Sequence, residues 1–287
     1  MILYHRIDGE GEPLLLLNGV AMSASSWEPV ARVLADSFRL VSCDFRGQLM
    51  MPVEQPADVA GHAEDVVALL DHLEIEVASL VGTSFGGVIA TLVAGRHPER
   101  VRSLITIAAA DGFDDQMADE VERWKMACRR SLDGGDRGHL FDVLEPVVYS
   151  PAYIESHLEE RAMRRAQIGA LPDLWFEGLI GLLDTAHSMR LRAEPAAIRC
   201  PTMVVAGFSN GTLKFQYCGK RIALPPASRK RLTFSSQSSI STEFGHLARC
   251  SLWTVKWKSV KPSPNSRSSH IRLPATEDQS PRGAETK

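Results

Sequence analysis

Gly82-Thr83-Ser84-Phe85-Gly86 sets a serine between two glycines at a spacing suited to nucleophilic chemistry. The apolar run from Val77 to Val81 precedes it and an apolar, Ala-rich run to Arg96 follows, so the segment reads as a strand, a sharp turn and a helix with Ser84 at the apex. In such an elbow the strained turn lifts the serine oxygen off the end of a parallel strand. Gly82 and Gly86 remove side chains that would collide there. A serine hydroxyl is a weak nucleophile until a base takes its proton, so Ser84 needs a histidine, and that histidine needs an orienting acid. Acyl transfer also builds an oxyanion, which needs hydrogen-bond donors.

The elements around the elbow follow from hydrophobic period and turn residues. Ile2–Ile7, the turn Asp8–Pro13 and Leu14–Leu17 predict a hairpin leading into a buried strand that ends at Asn18-Gly19. Trp27, Val30, Val33 and Leu34 recur at helical spacing between Ser23 and Phe38. Arg39–Cys43 is the next strand, ending at Asp44-Phe45-Arg46-Gly47. A helix is expected from about Ala57 to Leu73, and Val101–Ala108 reads as a further buried strand. Strands alternating with helices predict an α/β fold with a mainly parallel sheet flanked by helices. From Asp111 to about Pro195 charged helical segments replace the strand signal, and Cys200–Gly207 returns to the sheet. The expected domains are a core from 1–110 and 196–207, a helical cap from 111–195 and an irregular C-terminal tail from 208–287.

With 287 residues, 44% of them hydrophobic, the chain can bury a sizeable core. Five scattered cysteines (Cys43, Cys128, Cys200, Cys218, Cys250) form no CxxC pair and no metal-ligand cluster, which fits thiols in a reducing compartment. The N-terminus lacks the apolar core of a signal peptide and no run reaches the length of a membrane span, so a cytoplasmic location is expected. The net charge of -3 hides an asymmetry. Residues 1–207 hold 18 Lys+Arg against 31 Asp+Glu, whereas 208–287 hold 14 against 4, with seven of the eight lysines. Three explanations of this basic, Ser- and Pro-rich tail stand at this point: a nucleic-acid-binding appendage, a divergent folded third, or an out-of-frame translation beginning near Gly207. The last accounts for the lysine bias, the lost strand-helix rhythm and the missing acid described below, and no nucleic-acid partner is expected.

Residues 1–207 resemble the α/β-hydrolase family, particularly small bacterial esterases and lactonases of the 3-oxoadipate enol-lactonase type. Beyond the elbow, the resemblance rests on Leu17-Asn18-Gly19-Val20, Asp44-Phe45-Arg46-Gly47, His97-Pro98-Glu99-Arg100-Val101 and Pro201–Gly207. It implies a Ser-acid-His triad, neither cofactor nor metal, and a small ester or lactone as substrate. Ser84 would be the nucleophile, with the backbone N–H groups of Phe85 and Val20 as the oxyanion hole; Asn18-Gly19 stands where the family often has His-Gly. The family's acid position, a few residues past Gly207, holds Asn210. That side chain keeps the shape of an aspartate without its charge, a change that can lower turnover by about four orders of magnitude. Asp111 is the alternative acid, and also reads as a turn residue opening the cap. His246, in Gly245-His246, is the one histidine in a family-like setting. A non-catalytic ligand-binding protein that keeps the capped pocket is the alternative function.

Overall fold

Four consecutive leucines, Leu14–Leu17, can bury both faces of a strand only in the interior of a sheet that is covered on both sides. In the computed structural model they occupy that place. The structure describes residues 1–51, 57–110, 112, 114–188, 191, 194–209, 212–213 and 251–254. In chain order these form β1 (His5–Asp8), β2 (Glu12–Leu17), a 3-10 turn (Ala24–Trp27), α1 (Glu28–Leu34), β3 (Phe38–Cys43), α2 (Val59–His72), β4 (Ala78–Thr83), α3 (Phe85–Arg96), a second 3-10 turn (Pro98–Arg100) and β5 (Val101–Ile107). Five helices follow: α4 (Asp115–Leu132), α5 (His139–Val148), α6 (Pro151–Ser156), α7 (Leu158–Gly169) and α8 (Asp173–Ser188). The short α9 (Glu194–Ala197) leads to β6 (Thr202–Ser209), and β7 (Thr212–Leu213) and β8 (Ser251–Thr254) complete the described elements.

The strand order is β1-β3-β2-β4-β5-β6-β7, with β8 also on β6. β3, β2, β4, β5 and β6 are parallel, β1 is antiparallel on β3, and β7 and β8 are antiparallel on β6. The expected hairpin of the first two strands does not form, because β3 lies between them. β2 carries apolar side chains on both faces and takes a parallel neighbour on each edge, whereas β1, with Ile7 exposed, sits at the rim. The last strand of the mainly parallel sheet runs two residues beyond Gly207; apart from β7 and β8, the tail from residue 210 onward lies outside the described residues.

Alternation along β2 divides its leucines between two cores. Leu15 and Leu17 pack with Val41, Leu80, Ile89 and Val93 under α2 and α3, and Leu14 and Leu16 pack with Trp27, Val30 and Leu40 under α1. Each such side chain contributes about 2 kcal/mol by leaving water. The helices between β5 and β6 hold a separate cluster around Cys128, Leu140, Trp175, Phe176 and Leu179, and Val20, Ala21 and Leu49 pack against it from the sheet side. Thr185 Oγ1 donates to the Ala57 carbonyl at 3.0 Å, and α8 passes so close to the turn after β3 that a Cβ on Gly178 would strike the Gly47 carbonyl. Among the described residues no helix is long and apolar enough to cross a membrane.

Candidate active site

Thr83 closes β4 and Phe85 opens α3, so Ser84 alone makes the turn, at φ 50° and ψ -117°. A non-glycine residue held there stores about 1–3 kcal/mol of backbone strain, which the surroundings must offset. The Ser84 N–H donates to the Ile107 carbonyl at 2.8 Å, and its carbonyl accepts from Gly87 N–H at 2.9 Å and Val88 N–H at 3.2 Å. The flanking glycines are required by close approach. A Cβ on Gly86 would run into the carbonyls of Leu17 and Asn18, and one on Gly82 into the carbonyl of Gly86. The start of α3 is therefore seated on the end of β2. Its first N–H groups, Phe85 among them, have no acceptor within the helix and carry the positive end of its dipole.

From β2 the chain passes to β3 on one side and then crosses to β4 on the other, and the crevice at the carboxyl ends of strands at such a switch is the usual ligand site of parallel sheets. Leu17 pairs in register with Gly82, which brings the loop Asn18-Gly19-Val20 beside the elbow. A Cβ built on Gly19 would lie 3.6 Å from Ser84 Cβ. The loop is held from below by a buried polar hub. Asn18 Nδ2 donates to the Cys43 carbonyl at 2.8 Å, to Gln48 Oε1 at 2.9 Å and to Asp44 Oδ1 at 3.2 Å, and Asn18 Oδ1 accepts from Trp27 Nε1 at 2.7 Å. Gln48 Nε2 donates in turn to the Gly19 carbonyl at 2.8 Å. Asp44 accepts from the Ala24 and Met50 N–H groups at 2.5 and 3.0 Å. Burial pushes the Asp44 carboxyl up from its ordinary value, and those N–H groups with Asn18 oppose the shift.

Ser84, Phe85 and Val20 line one cavity of about 50 Å³, roofed by Met117, Glu120 and Trp124 of α4 and by Leu183 of α8. Beneath Phe85 lies His62, 1% exposed, its ring edge-on to Phe85 and Phe45 at 5.4 and 5.5 Å. Burial, aided by the Arg46 charge and opposed by Asp65 and Asp58, lowers His62 to about 4.

A family model described as the alpha/beta hydrolase fold matches residues 12–139. The chain belongs to the α/β-hydrolase family. It is 43% identical over 110 residues to a 2-hydroxymuconate semialdehyde hydrolase from a Pseudomonas species, covering 36% of this chain and 38% of that protein. It is 34% identical over 116 residues to a pimeloyl-[acyl-carrier protein] methyl ester esterase of Vibrio cholerae, covering 40% of this chain and 44% of the esterase. These matches thus span well under half the length of either relative. Among solved structures, the enol-lactonase from Burkholderia xenovorans is similar at TM-score 0.60 and 26% identity, over 70% of this chain and 76% of that one.

Of the residues singled out in this α/β-hydrolase sequence, the structure brings Ser84, Phe85 and Val20 to one cavity, with Gly82 and Gly86 behind the elbow. Asp111, Asn210 and His246 lie outside the described residues. Asn18 is more than a carrier of backbone, because its amide joins three loops. Gln48 escaped the sequence reading, although a polar residue next to Asp44-Phe45-Arg46-Gly47 was its signal. Glu120, which lines the cavity, escaped it as well. The spacing Met117, Glu120, Val121, Trp124 marks one face of α4, and that face meets the cavity. Among the described residues no group of three or more His, Cys, Asp and Glu side chains gathers as a metal site.

Proposed function

We propose that the protein is a serine hydrolase of small esters or lactones, with Ser84 as nucleophile and the N–H groups of Phe85 and Val20 as oxyanion donors. One observation carries this reading: Ser84 stands in a left-handed turn at a helix N-terminus and lines the same cavity as Val20, at the switch point of a parallel sheet. The names of the hydrolase, esterase and lactonase relatives support it. In the proposed reaction Ser84 Oγ attacks the acyl carbon while its proton passes to His246, the oxyanion is held by the two N–H groups, and the leaving alcohol takes the proton back. Water then cleaves the acyl-enzyme by the same route. Asn210 or Asp111 orients His246; with Asn210 in that role the imidazolium lacks a counter-charge and turnover is slow. Helices α4–α8 act as the cap, and a cavity of 50 Å³ has room for about four water-sized groups, which favours short acyl arms.

A fluorophosphonate probe tests the assignment directly. The expected result is a single label that is lost in Ser84→Ala, together with hydrolysis of p-nitrophenyl acetate that is lost in both Ser84→Ala and His246→Ala. Saturable binding of small esters with neither labelling nor turnover replaces this reading with that of a non-catalytic ligand-binding protein.

A further inference from the structure

Gly19 and Val20 carry four backbone hydrogen-bonding groups, and three of them have partners among the described residues. The Gly19 N–H donates to Met22 Sδ at 3.3 Å, and the Gly19 carbonyl accepts from Gln48 Nε2 at 2.8 Å and from the Met22 N–H at 3.1 Å. The Val20 carbonyl accepts a longer bond, 3.4 Å, from the same Gln48 nitrogen. The fourth group, the Val20 N–H, has no acceptor among the described residues. Gln48 is 2% exposed and does not line the cavity, so it acts from the buried side of the loop. Which end of its amide faces the loop is dictated by a relay that begins at an indole. Trp27 Nε1 can only donate, so Asn18 turns Oδ1 to it at 2.7 Å. Asn18 Nδ2 then faces Gln48 Oε1 at 2.9 Å, and the Phe45 N–H donates to the same oxygen at 2.8 Å. The Gln48 nitrogen is left for Gly19.

The Gly19 carbonyl and the Val20 N–H belong to one peptide plane, and a trans peptide points these two groups in opposite directions. With the carbonyl held on Gln48 at the buried side, the N–H leaves on the other side, where Val20 and Ser84 line one cavity. Donation to the carbonyl also polarises the peptide and strengthens its N–H as a donor. We infer that Gln48 is a positioning residue: its amide fixes the plane of the Gly19–Val20 peptide and so aims the Val20 N–H into the space beside Ser84. The consequence for turnover rests on Val20 being an oxyanion donor, as proposed above; the orientation of the peptide does not depend on Ser84 being reactive.

The test compares the full chain with Gln48→Glu and Gln48→Met. The first keeps an acceptor for Phe45 and Asn18 but turns an oxygen on the Gly19 carbonyl; the second removes the donor without adding charge, and decides alone if the first does not fold. The peptide plane is read by NMR on chains carrying isotope-labelled valine, from the Overhauser effects between the Val20 N–H and the Gly19 Hα protons. Turnover is read with p-nitrophenyl acetate, per site titrated to completion with the fluorophosphonate, so that misfolded chains are not counted. The expected result is a changed pattern of Overhauser effects in both variants. It comes with a fall in kcat of at least about tenfold, short of the loss from deleting an oxyanion donor, and with KM within about threefold. Gln48→Met should lose less than Gln48→Glu, because the Met22 N–H still holds the carbonyl. Overhauser effects unchanged in every folded variant, or a raised KM with kcat unchanged, overturn the inference. Failure of the unmodified chain to label removes the serine-hydrolase reading, and the Overhauser comparison then decides the role of Gln48 by itself.

Discussion

His62 is held neutral against the underside of the elbow, and this makes it an acid-labile point in the fold. Its folded value, about 4, lies below the ordinary 6.5, so the unfolded chain takes up the proton first as pH falls. The stability that His62 lends is complete above pH 6.5, declines between 6.5 and 4, and changes no further below that. The decline by pH 4.5 is about 2–3 kcal/mol. Urea unfolding at pH 7.5 and pH 4.5 should show this difference in the unmodified protein and a smaller one in His62→Leu; the same decline in both would assign the acid sensitivity elsewhere. Asn18 makes a second residue-scale prediction. Asn18→Ala leaves the buried Trp27 Nε1 without the acceptor it has here and removes one of the donors to Gln48 Oε1, so it should destabilise by about 2–4 kcal/mol. It should also slow labelling of Ser84, because the loop carrying the Val20 N–H loses its hold. Normal labelling in a destabilised Asn18→Ala would separate the hub from the chemistry.

At the scale of elements, the seat of α8 is the feature most open to test. Gly178 faces the Gly47 carbonyl with no room for a methyl group, so Gly178→Ala should lift the helix from the turn after β3 and destabilise by about 1–3 kcal/mol. Thermal unfolding of Gly178→Ala beside Gly181→Ala is the measurement, since a Cβ on Gly181 meets nothing within 4 Å. Equal melting temperatures would show that α8 tolerates displacement. How legible these elements were depends on the range of the forces that set them. The strand, elbow and helix around Ser84 could be read because the turn restricts residue types at Gly82 and Gly86 themselves, within five positions. The pairing of β1 could not, because it depends on β3, some thirty residues away, being the better neighbour for both β1 and β2. The hub and the α4 face escaped for a related reason: Gln48, Glu120 and Trp124 acquire their roles only when packing brings loop and helix to the cavity.

For the whole molecule, the proposed triad spans the basic tail, where Asn210 replaces the acid that the family pattern calls for. Asn210→Asp should therefore raise kcat for p-nitrophenyl acetate, by up to about four orders of magnitude if His246 is the base that it orients. An unchanged kcat in Asn210→Asp, with a fall in Asp111→Asn, would transfer the orienting role to Asp111. The parallel order of the central strands fixes where this chemistry would occur, since β2 and β4 end side by side whatever the composition of the segments that follow β6. One further consequence lies in α4. The proposed nucleophile and its donors come from the ends of β2 and β4, between residues 18 and 85, whereas Glu120 and Trp124 come from a single helix that is later in the chain and packed in a cluster of its own. On the proposed reading, the reacting groups and the roof over them thus lie on different stretches of sequence. On that reading, exchange of that one helix would change which substrates fit while the proposed nucleophile and its donors stay in place.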